Sequence, residues 1–407
     1  MADCRFCGAP LAQVFADLGT SPPANSYLRA EQLDCAEAHF PLRVLVCEAC
    51  WLVQLPAFQR PEEIFGDYAY FSSYSTSWLA HAGRFARMAI ERFGLGRHSL
   101  VIEVASNDGY LLRHFQAAQI PVLGIEPAAT VAAAAIAGGV PTSQVFFGTE
   151  AAAALARDGI EADLLVGNNV LAHVPDLNDF VAGLASVLKP GGVLTMEFPH
   201  LLRLIEGGQF DTIYHEHFSY FSLATACRVF ARHGLRVFDV DELPTHGGSL
   251  RIYACHRDAA HPTAGAVDNL KNRERERGLE RRETYAAFDD AARKIRRELL
   301  GFFASARASG KSVIGYGAPA KGNTLLNYCG IGRDQLDFTV DISPHKQGLF
   351  LPGSHIPIRA PEAIRPARPD YLLVLPWNLL DEIVGQMDDI RSWGGRFVVP
   401  IPRLQVM

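Results

Sequence analysis

One stretch, residues 99–126, restricts the fold more than any other part of this 407-residue chain. Residues 99–104 (SLVIEV) form an apolar run typical of a buried strand, and residues 105–109 (ASNDG) predict a tight turn before a helix that starts near Tyr110. A second apolar run, VLGIE, ends in a carboxylate at Glu126. This order of strand, turn, helix and strand predicts an α/β fold with a parallel sheet and a ligand site at the carboxyl ends of its strands.

The same stretch indicates the kind of ligand. An acidic residue about 20 residues past the first turn is placed to hold ribose hydroxyls. The GxGxxG motif is absent, which argues against a pyrophosphate beneath the helix and suits a cofactor without phosphates, such as S-adenosylmethionine. Residues 162–174 and 188–197 read as two further strands with their loops. We therefore expect a class I, Rossmann-like S-adenosylmethionine methyltransferase core rather than a generic Rossmann domain.

The cysteines predict a metal site near the N-terminus. Five of the eight fall in the first fifty residues, and four of them form two CxxC pairs. Four thiolates complete a tetrahedral, closed zinc site, here from Cys4, Cys7, Cys47 and Cys50. A thioredoxin-like redox pair is the weaker alternative, because neither pair opens a helix after a strand. Cys35 has no assigned role.

Composition excludes some partners. A net charge of -6 argues against nucleic-acid binding, which normally needs a basic surface. The chain has no apolar run long enough to span a bilayer, and its first residues lack the pattern of a secretory signal, so we expect a cytoplasmic protein without a membrane partner. We expect a monomer or a weak dimer. The predicted domains are a zinc-binding domain at 1–62, the methyltransferase domain at 63–258, and a C-terminal Rossmann-like α/β domain at 259–407.

The C-terminal half contains a second strand and glycine-rich turn, at residues 312–324. Such a turn presents backbone N–H groups to an anion, and Lys321 adds a charge. Because the spacing matches no known phosphate loop, a phosphate site and a plain tight turn both remain open. The charge-rich residues 268–307 predict a solvated helical connector.

Residues 214–220 (YHEHFSY) bring two imidazoles, a carboxylate and two phenols together. The two histidines stand two apart, whereas the zinc-protease helix motif needs them four apart. General acid/base chemistry and satisfied core histidines therefore both remain open. Residues 67–78 mix hydroxyls with aromatic rings, as in a lid over a polar ligand or in an amphipathic connector. The glycines after His246 allow close backbone approach to a ligand, or a simple turn.

These motifs occur in one order: the cysteine pairs, EVASNDGY at 103–110, YHEH at 214–217, HGGSLR at 246–251 and GYGAPAKGN at 315–323. In this combination the chain resembles, essentially end to end, the bacterial C-methyltransferases of nucleotide-linked deoxy-4-ketohexoses. The resemblance implies an S-adenosylmethionine-dependent enzyme with structural zinc. It implies a nucleoside diphosphate-linked (dTDP-like) keto-sugar as substrate, in deoxysugar biosynthesis. The implied reaction is proton removal next to the ketone, followed by methylation of that carbon, and the resemblance also implies that the C-terminal domain binds the substrate nucleotide.

The resemblance also implies roles for single residues. His217 is the expected base, and the sugar or its enolate would be supported by Tyr214, Glu216, His173 and Tyr74, with Tyr70 as the alternative to Tyr74. Expected cofactor-binding residues are Glu103, Ser106, Asn107, Asp108, Glu126, Asn168 and Asn169. Expected substrate-binding residues are His215, His246, Arg251, Tyr316, Lys321 and Asn323.

Two alternatives stay open at this point. One is methylation of a different activated acceptor, on oxygen or nitrogen. The other is a zinc-ribbon binding protein whose methyltransferase-like core is a non-catalytic scaffold.

Overall fold

The computed structural model describes residues 2–65 and 71–407, which three β-sheets organise. Tyr68 and Tyr70, and with them part of the predicted aromatic lid, lie outside the described residues. The chain begins with three strands: β1 (Gln13–Ser21), β2 (Phe40–Val46) and β3 (Val53–Gln54). They form an antiparallel sheet that carries the cysteine pairs at one end.

The central sheet has seven strands and is flanked by helices. The helices of this part are α1 (Pro61–Phe65), α2 (Thr76–Phe93), α3 (Leu112–Ala117), α4 (Ala129–Ala137), α5 (Thr149–Arg157), α6 (Leu177–Val187), α7 (Leu201–Glu206) and α8 (Leu223–Arg232). The strands are β4 (Val101–Val104), β5 (Val122–Ile125), β6 (Thr142–Ser143), β7 (Ala162–Asn168), β8 (Leu188–Pro199), β9 (Ser219–Tyr220), β10 (Leu235–Leu243) and β11 (Ser249–His256). All except β9 belong to this sheet, in the order β10-β11-β8-β7-β4-β5-β6.

The five strands from β8 to β6 are parallel, as the alternation of strands and helices predicts, while β11 runs antiparallel to both of its neighbours. Strands β4 and β7 are buried almost throughout, which explains their continuous apolar sequences. The turn after β4 needs positive φ at Ala105, Asn107 and Gly109. A Cβ at Gly109 would lie 2.8 Å from a Val140 methyl group, so only glycine fits there.

The third sheet has six strands. The remaining helices are α9 (Gly265–Glu276), α10 (Arg282–Ala286), α11 (Phe288–Ala308), α12 (Ala320–Cys329), α13 (Ile364–Ala367) and α14 (Leu380–Met387). The strands are β12 (Val313–Tyr316), β13 (Thr339–Val340), β14 (Ile358–Arg359), β15 (Tyr371–Val374), β16 (Arg396–Val399) and β17 (Gln405–Val406). Their order is β14-β13-β12-β15-β16-β17, and only β17 is antiparallel to its neighbour. This is the expected second Rossmann-like domain.

The segment at 268–307 is helical, but the prediction of a solvated connector is wrong for one of its faces. Phe288 stacks on Phe15 of β1 at 4.3 Å between ring centroids, and Tyr285 is fully buried beside them. The apolar side chains of α11 thus share one core with the N-terminal sheet and the third sheet. The charges of α11 lie on the opposite, more exposed face, because a helix separates the two sets of residues by its 3.6-residue period.

Strand β9 joins the motif at 214–220 to the N-terminal sheet. Ser219 pairs with Gln54 and Tyr220 pairs with Val53 of β3, and the Leu55 N–H donates to the Phe218 carbonyl at 3.0 Å. The motif therefore lies where the N-terminal sheet meets the carboxyl ends of the central strands. No helix in the described part of the chain combines the length and the apolar character needed to cross a membrane.

Candidate active site

The turn after β4 and the end of β5 form one half of the site. Glu126 is buried, and its carboxylate accepts hydrogen bonds from the backbone N–H groups of Asn107 (2.9 Å) and Ala128 (3.0 Å). Burial raises the pKa of Glu126, and these two donors oppose that shift. The carboxylate is therefore fixed at the carboxyl end of the sheet, where the sequence predicted a ribose-binding acid.

Several buried polar atoms around this turn have no hydrogen-bond partner among the described residues. They are both carboxyl oxygens of Glu103, Ser106 Oγ, Asp108 Oδ1, Asn168 Oδ1 and Asn169 Oδ1. Burial raises the pKa of Glu103 well above its ordinary value, and the nearby Tyr110 hydroxyl acts in the opposite direction. Buried polar atoms normally have partners. A ligand with an ammonium group and hydroxyls, such as S-adenosylmethionine, fits this set of acceptors.

The segment that carries Tyr74 docks onto the same turn. The Ser72 N–H donates to Asn107 Oδ1 at 2.9 Å, and the Ser73 N–H donates to Asp108 Oδ2 at 3.1 Å. Tyr74 itself is 53% exposed, and its hydroxyl lies 3.2 Å from Nε2 of His345, a residue of the C-terminal domain. The Tyr74 backbone thus borders the predicted cofactor site, while its ring lies at the surface.

A buried ion pair that the sequence analysis missed lies near the predicted cofactor site. Glu197, near the end of β8, pairs with Arg251 and with His81 of α2, whose Nε2 lies 2.8 Å from Glu197 Oε2. Thr245 donates to the other carboxylate oxygen at 2.9 Å. The Arg251 guanidinium, predicted to bind substrate, is thus paired inside the protein. The sequence did contain a signal for Glu197. Like Glu126, it is an acidic residue near the carboxyl end of a buried strand.

His217 lies at the centre of the other half of the site. Its Nδ1 lies 2.8 Å from the carbonyl oxygen of Thr212, which can only accept, so Nδ1 carries the proton and the lone pair is on Nε2. The ring is buried, with centroids 3.9 Å from Tyr214 and 4.7 Å from His173. Burial, then the proximity of His173, holds the pKa of His217 well below its ordinary value. Burial also lowers the pKa of His173 to about 4. Both rings are therefore neutral at pH 7.

The two residues before His217 point in different directions. Glu216 is buried and accepts a hydrogen bond from Asn25 Nδ2 of the N-terminal domain at 2.7 Å, while burial raises its pKa to about 7. His215 turns toward β2 instead, with Nε2 3.3 Å from the Phe40 carbonyl. The substrate-binding role of His215 stays a prediction that its own contacts do not support.

His246 connects the two halves. Its Nε2 accepts a hydrogen bond from Asn169 Nδ2 at 3.1 Å, and its ring meets Trp78 of α2 edge-on at 5.5 Å. His246 has a positive φ of 55°, as does Asn169 at 53°, a conformation that non-glycine residues rarely adopt. Burial lowers the pKa of His246 to about 4. The structure thus brings the predicted cofactor and substrate residues together at the carboxyl ends of β7 and β8.

The C-terminal domain closes the site through the start of α12. Lys321 donates to Asn378 at 2.8 Å and lies 4.7 Å from the centre of the Trp377 ring, and burial lowers its pKa. Asn323 donates to the Ala24 carbonyl at 2.6 Å and leaves a buried Oδ1 without a partner among the described residues. Tyr316 lies deeper, where its hydroxyl donates to Gln386. Of the three predicted residues, the structure places Lys321 near the histidines and Tyr316 within the domain's own core.

The four predicted zinc ligands lie together. Sulfur atoms of Cys4 and Cys50 are 3.6 Å apart, those of Cys7 and Cys47 are 3.5 Å apart, and all four lie within 4.8 Å of one another. Tetrahedral zinc with bonds of about 2.3 Å separates its sulfur ligands by about 3.8 Å. The cluster therefore fits one zinc ion in a closed, structural site.

Comparison with known proteins agrees with this geometry. Residues 4–65 match a family model for a zinc binding domain, residues 78–240 match a methyltransferase domain, and residues 244–402 match the C-methyltransferase C-terminal domain. C-methyltransferase NovU of Streptomyces niveus is 39% identical over 406 residues, which cover 100% of this chain and 96% of that protein. The chain belongs to the C-methyltransferase family. The methyltransferase core of this C-methyltransferase binds S-adenosylmethionine, and its N-terminal domain binds zinc.

Two solved methyltransferase structures match part of this chain. Magnesium protoporphyrin IX methyltransferase from Synechocystis PCC 6803, with bound S-adenosylmethionine, is 15% identical. The match covers 48% of this chain and 88% of that one, with a TM-score of 0.33. The glycopeptide N-methyltransferase MtfA is 16% identical over 43% of this chain and 96% of its own, with a TM-score of 0.35.

Proposed function

We propose that this C-methyltransferase acts on a nucleoside diphosphate-linked 4-keto-deoxysugar, with dTDP as the nucleotide, and methylates a carbon next to the ketone. The geometry of His217 carries the proposal: a buried, neutral imidazole whose lone pair on Nε2 is free to take a proton. Methylation of oxygen or nitrogen would need no base for a C–H bond. A carbon next to a ketone does need one.

In the proposed reaction, Nε2 of His217 takes the proton from the carbon next to the ketone. The C–H electron pair moves toward the carbonyl group, and negative charge develops on the ketone oxygen. The side chains of Tyr214 and His173 border His217 and would hold the sugar or support this oxygen, together with Glu216 and Tyr74. A dry pocket strengthens such interactions. S-adenosylmethionine, when bound, supplies the methyl group that the nucleophilic carbon takes up.

The cofactor would be held by the turn after β4. Glu126 is fixed by two backbone donors and would accept from the ribose hydroxyls. The remaining polar groups of the cofactor would meet the buried acceptors without partners, among them Glu103, Asn168 and Asn169. Asn107 and Asp108 hold the segment at residues 72–74 over this turn. This segment would therefore border both the cofactor and the sugar.

The nucleotide end of the substrate would lie against the C-terminal domain, at residues 259–407. Lys321 in the first turn of α12 offers a cation and the positive end of a ten-residue helix. Burial lowers the pKa of His217 and of His246, and the Lys321 charge acts on both in the same direction, so Lys321 lies near the two histidines. We expect one substrate to extend from Lys321 to the base. Cytoplasmic location and a monomeric or weakly dimeric state remain predictions.

The test uses the full-length protein, labelled S-adenosylmethionine and a panel of 4-keto-deoxysugar nucleotides in deuterated water. We expect carbon methylation of one panel member, and hydrogen exchange next to its ketone when the non-reactive product S-adenosylhomocysteine replaces the cofactor. His217→Ala should abolish both. Methylation of oxygen or nitrogen without exchange would contradict the enolate route. Absence of exchange and methylation across the panel would contradict the proposed substrate class.

A further inference from the structure

A short 3₁₀ helix, Phe210–Thr212, sets the orientation of His217. The carbonyl oxygen of Thr212 receives the Nδ1 proton of His217 at 2.8 Å. A neutral imidazole carries one proton, so an acceptor held at Nδ1 keeps the lone pair on Nε2. If this carbonyl moves, the proton can shift to Nε2 and the ring can no longer act as a base at that atom. The position of this turn is therefore as important as that of the ring.

The C-terminal domain holds the turn on both sides of Thr212. The indole N–H of Trp377 donates to Asp211 Oδ2 at 2.7 Å. The Thr324 hydroxyl of α12 donates to the Ile213 carbonyl at 2.9 Å. Asp211 and Thr324 are both buried. Two hydrogen bonds from another domain thus flank the one carbonyl that orients His217.

The bond from Trp377 is made to a fully buried carboxyl group. Burial raises the pKa of Asp211 to about 6, while Lys321 and the Trp377 donor favour its charged form. The other oxygen, Oδ1, has no partner among the described residues. Loss of the donor would leave a buried acidic group with still fewer partners, which is costly. The turn would then be expected to shift toward other donors.

Trp377 also reaches the loop that carries His246. A Cβ at Gly247 would lie 2.4 Å from Trp377 Cη2, so the indole covers this glycine directly. Gln209, next to the turn, donates to the Gly247 carbonyl at 2.9 Å. One indole ring therefore contacts both segments that place imidazoles in the site.

We propose that Trp377 is a positioning residue for the reaction: through Asp211 it fixes the Thr212 carbonyl, which keeps the proton of His217 on Nδ1 and the lone pair on Nε2. The proposal rests on the proposed role of His217 as the base. It gives the C-terminal domain a part in preparing the base, in addition to binding the nucleotide.

The test compares Trp377→Phe, which keeps a ring but removes the N–H, with Trp393→Phe. Trp393 lies in the same domain but packs against a different apolar cluster from Trp377, and it donates its indole N–H to the Pro369 carbonyl at 3.1 Å. The full-length variants are labelled with ¹⁵N-histidine, and NMR reads the tautomer of His217, assigned with His217→Asn. We expect the Nε2–H tautomer to appear in Trp377→Phe and not in Trp393→Phe. We expect kcat to fall roughly fivefold, which corresponds to about 1 kcal/mol, the worth of one hydrogen bond, with KM for the sugar nucleotide nearly unchanged.

A second pair of variants keeps the test decisive if Trp377→Phe does not fold. Asp211→Asn retains an acceptor for the indole and should keep the tautomer, whereas Asp211→Ala should lose it. Trp377→Phe, or Asp211→Ala, with the original tautomer and kcat would overturn the proposal. Full turnover by His217→Ala would instead overturn the role of His217 as the base. The two failures are distinguishable, because NMR reports on the ring whether or not it is the base.

Discussion

The Nδ1 atom of His217 lies 2.8 Å from the carbonyl oxygen of Thr212, and this single contact fixes which nitrogen can act as a base. Replacement by asparagine keeps a donor near Thr212 but has no basic atom for the substrate. We expect His217→Asn to lower kcat at least about 100-fold, as is typical for loss of a general base. The affinity for S-adenosylmethionine, measured by calorimetry, should stay within about twofold, since the proposed cofactor site lies at the turn after β4.

The matched control is His98→Asn, because His98 is exposed and lies in the loop before β4. It should retain full activity. Turnover by His217→Asn at the rate of this control would remove His217 from the mechanism.

Glu126 provides a second test, at the cofactor end. The Glu126→Gln variant keeps the shape of the side chain but removes the charge that would hold the ribose hydroxyls. We expect Kd for S-adenosylmethionine to rise roughly tenfold or more, because hydrogen bonds to charged groups are worth about 1.5 to 3 kcal/mol. Calorimetry with the cofactor and with S-adenosylhomocysteine measures it. Glu161→Gln, at an exposed position, is the control, and equal affinities for both variants would contradict the assigned role.

The zinc cluster should support the active site as well as the N-terminal domain. Strand β9, which follows His217 closely, pairs with β3 of the zinc-bearing sheet. We expect one zinc ion per chain by elemental analysis. Cys47→Ser should lower the zinc content, the melting temperature and the turnover together, since structural zinc contributes directly to folding. Cys35→Ser is the control, because Cys35 is exposed and outside the cluster. A zinc-free Cys47→Ser variant with normal stability would contradict a structural role.

Glu216 makes stability depend on pH in a direction that can be worked out. Burial raises its pKa to about 7 in the folded state, above the value of about 4.3 expected in the unfolded chain. Between these values the folded state binds a proton that the unfolded state has lost, so the contribution of Glu216 to stability falls as pH rises toward 7. Glu216→Gln removes this effect. The variant should therefore gain stability relative to the original protein, by up to about 3 kcal/mol, between pH 5 and pH 8.

Urea unfolding of both proteins at pH 5 and pH 8 measures this difference. Glu91→Gln, at an exposed position, should show the same stability difference from the original protein at both pH values. If the difference in the free energy of unfolding between Glu216→Gln and the original protein is no larger at pH 8 than at pH 5, the pKa of Glu216 is not raised in the folded state.

The sequence alone determined the elements whose signals are local. Apolar runs separated by turn residues predicted the parallel central sheet, and the carboxylate that follows the second run predicted the position of Glu126. The two CxxC pairs predicted the thiolate cluster, because each pair places its two sulfur atoms on one turn. The family resemblance, carried by motifs in one order, agrees with the family models that match along the chain.

Only the tertiary structure decided which side chains meet across the three sheets. His81, Glu197 and Arg251 come from separate elements, and their buried ion pair depends on packing that no local pattern encodes. The sequence predicted a solvated connector at 268–307, because charged residues dominate the composition of this segment. Its apolar face became evident only from its packing against strand β1. The contact between Trp377 and Asp211 could not be predicted from the sequence either, because the two residues lie 166 positions apart in the chain. In the fold, the Trp377 indole nitrogen lies 2.7 Å from the Asp211 carboxylate.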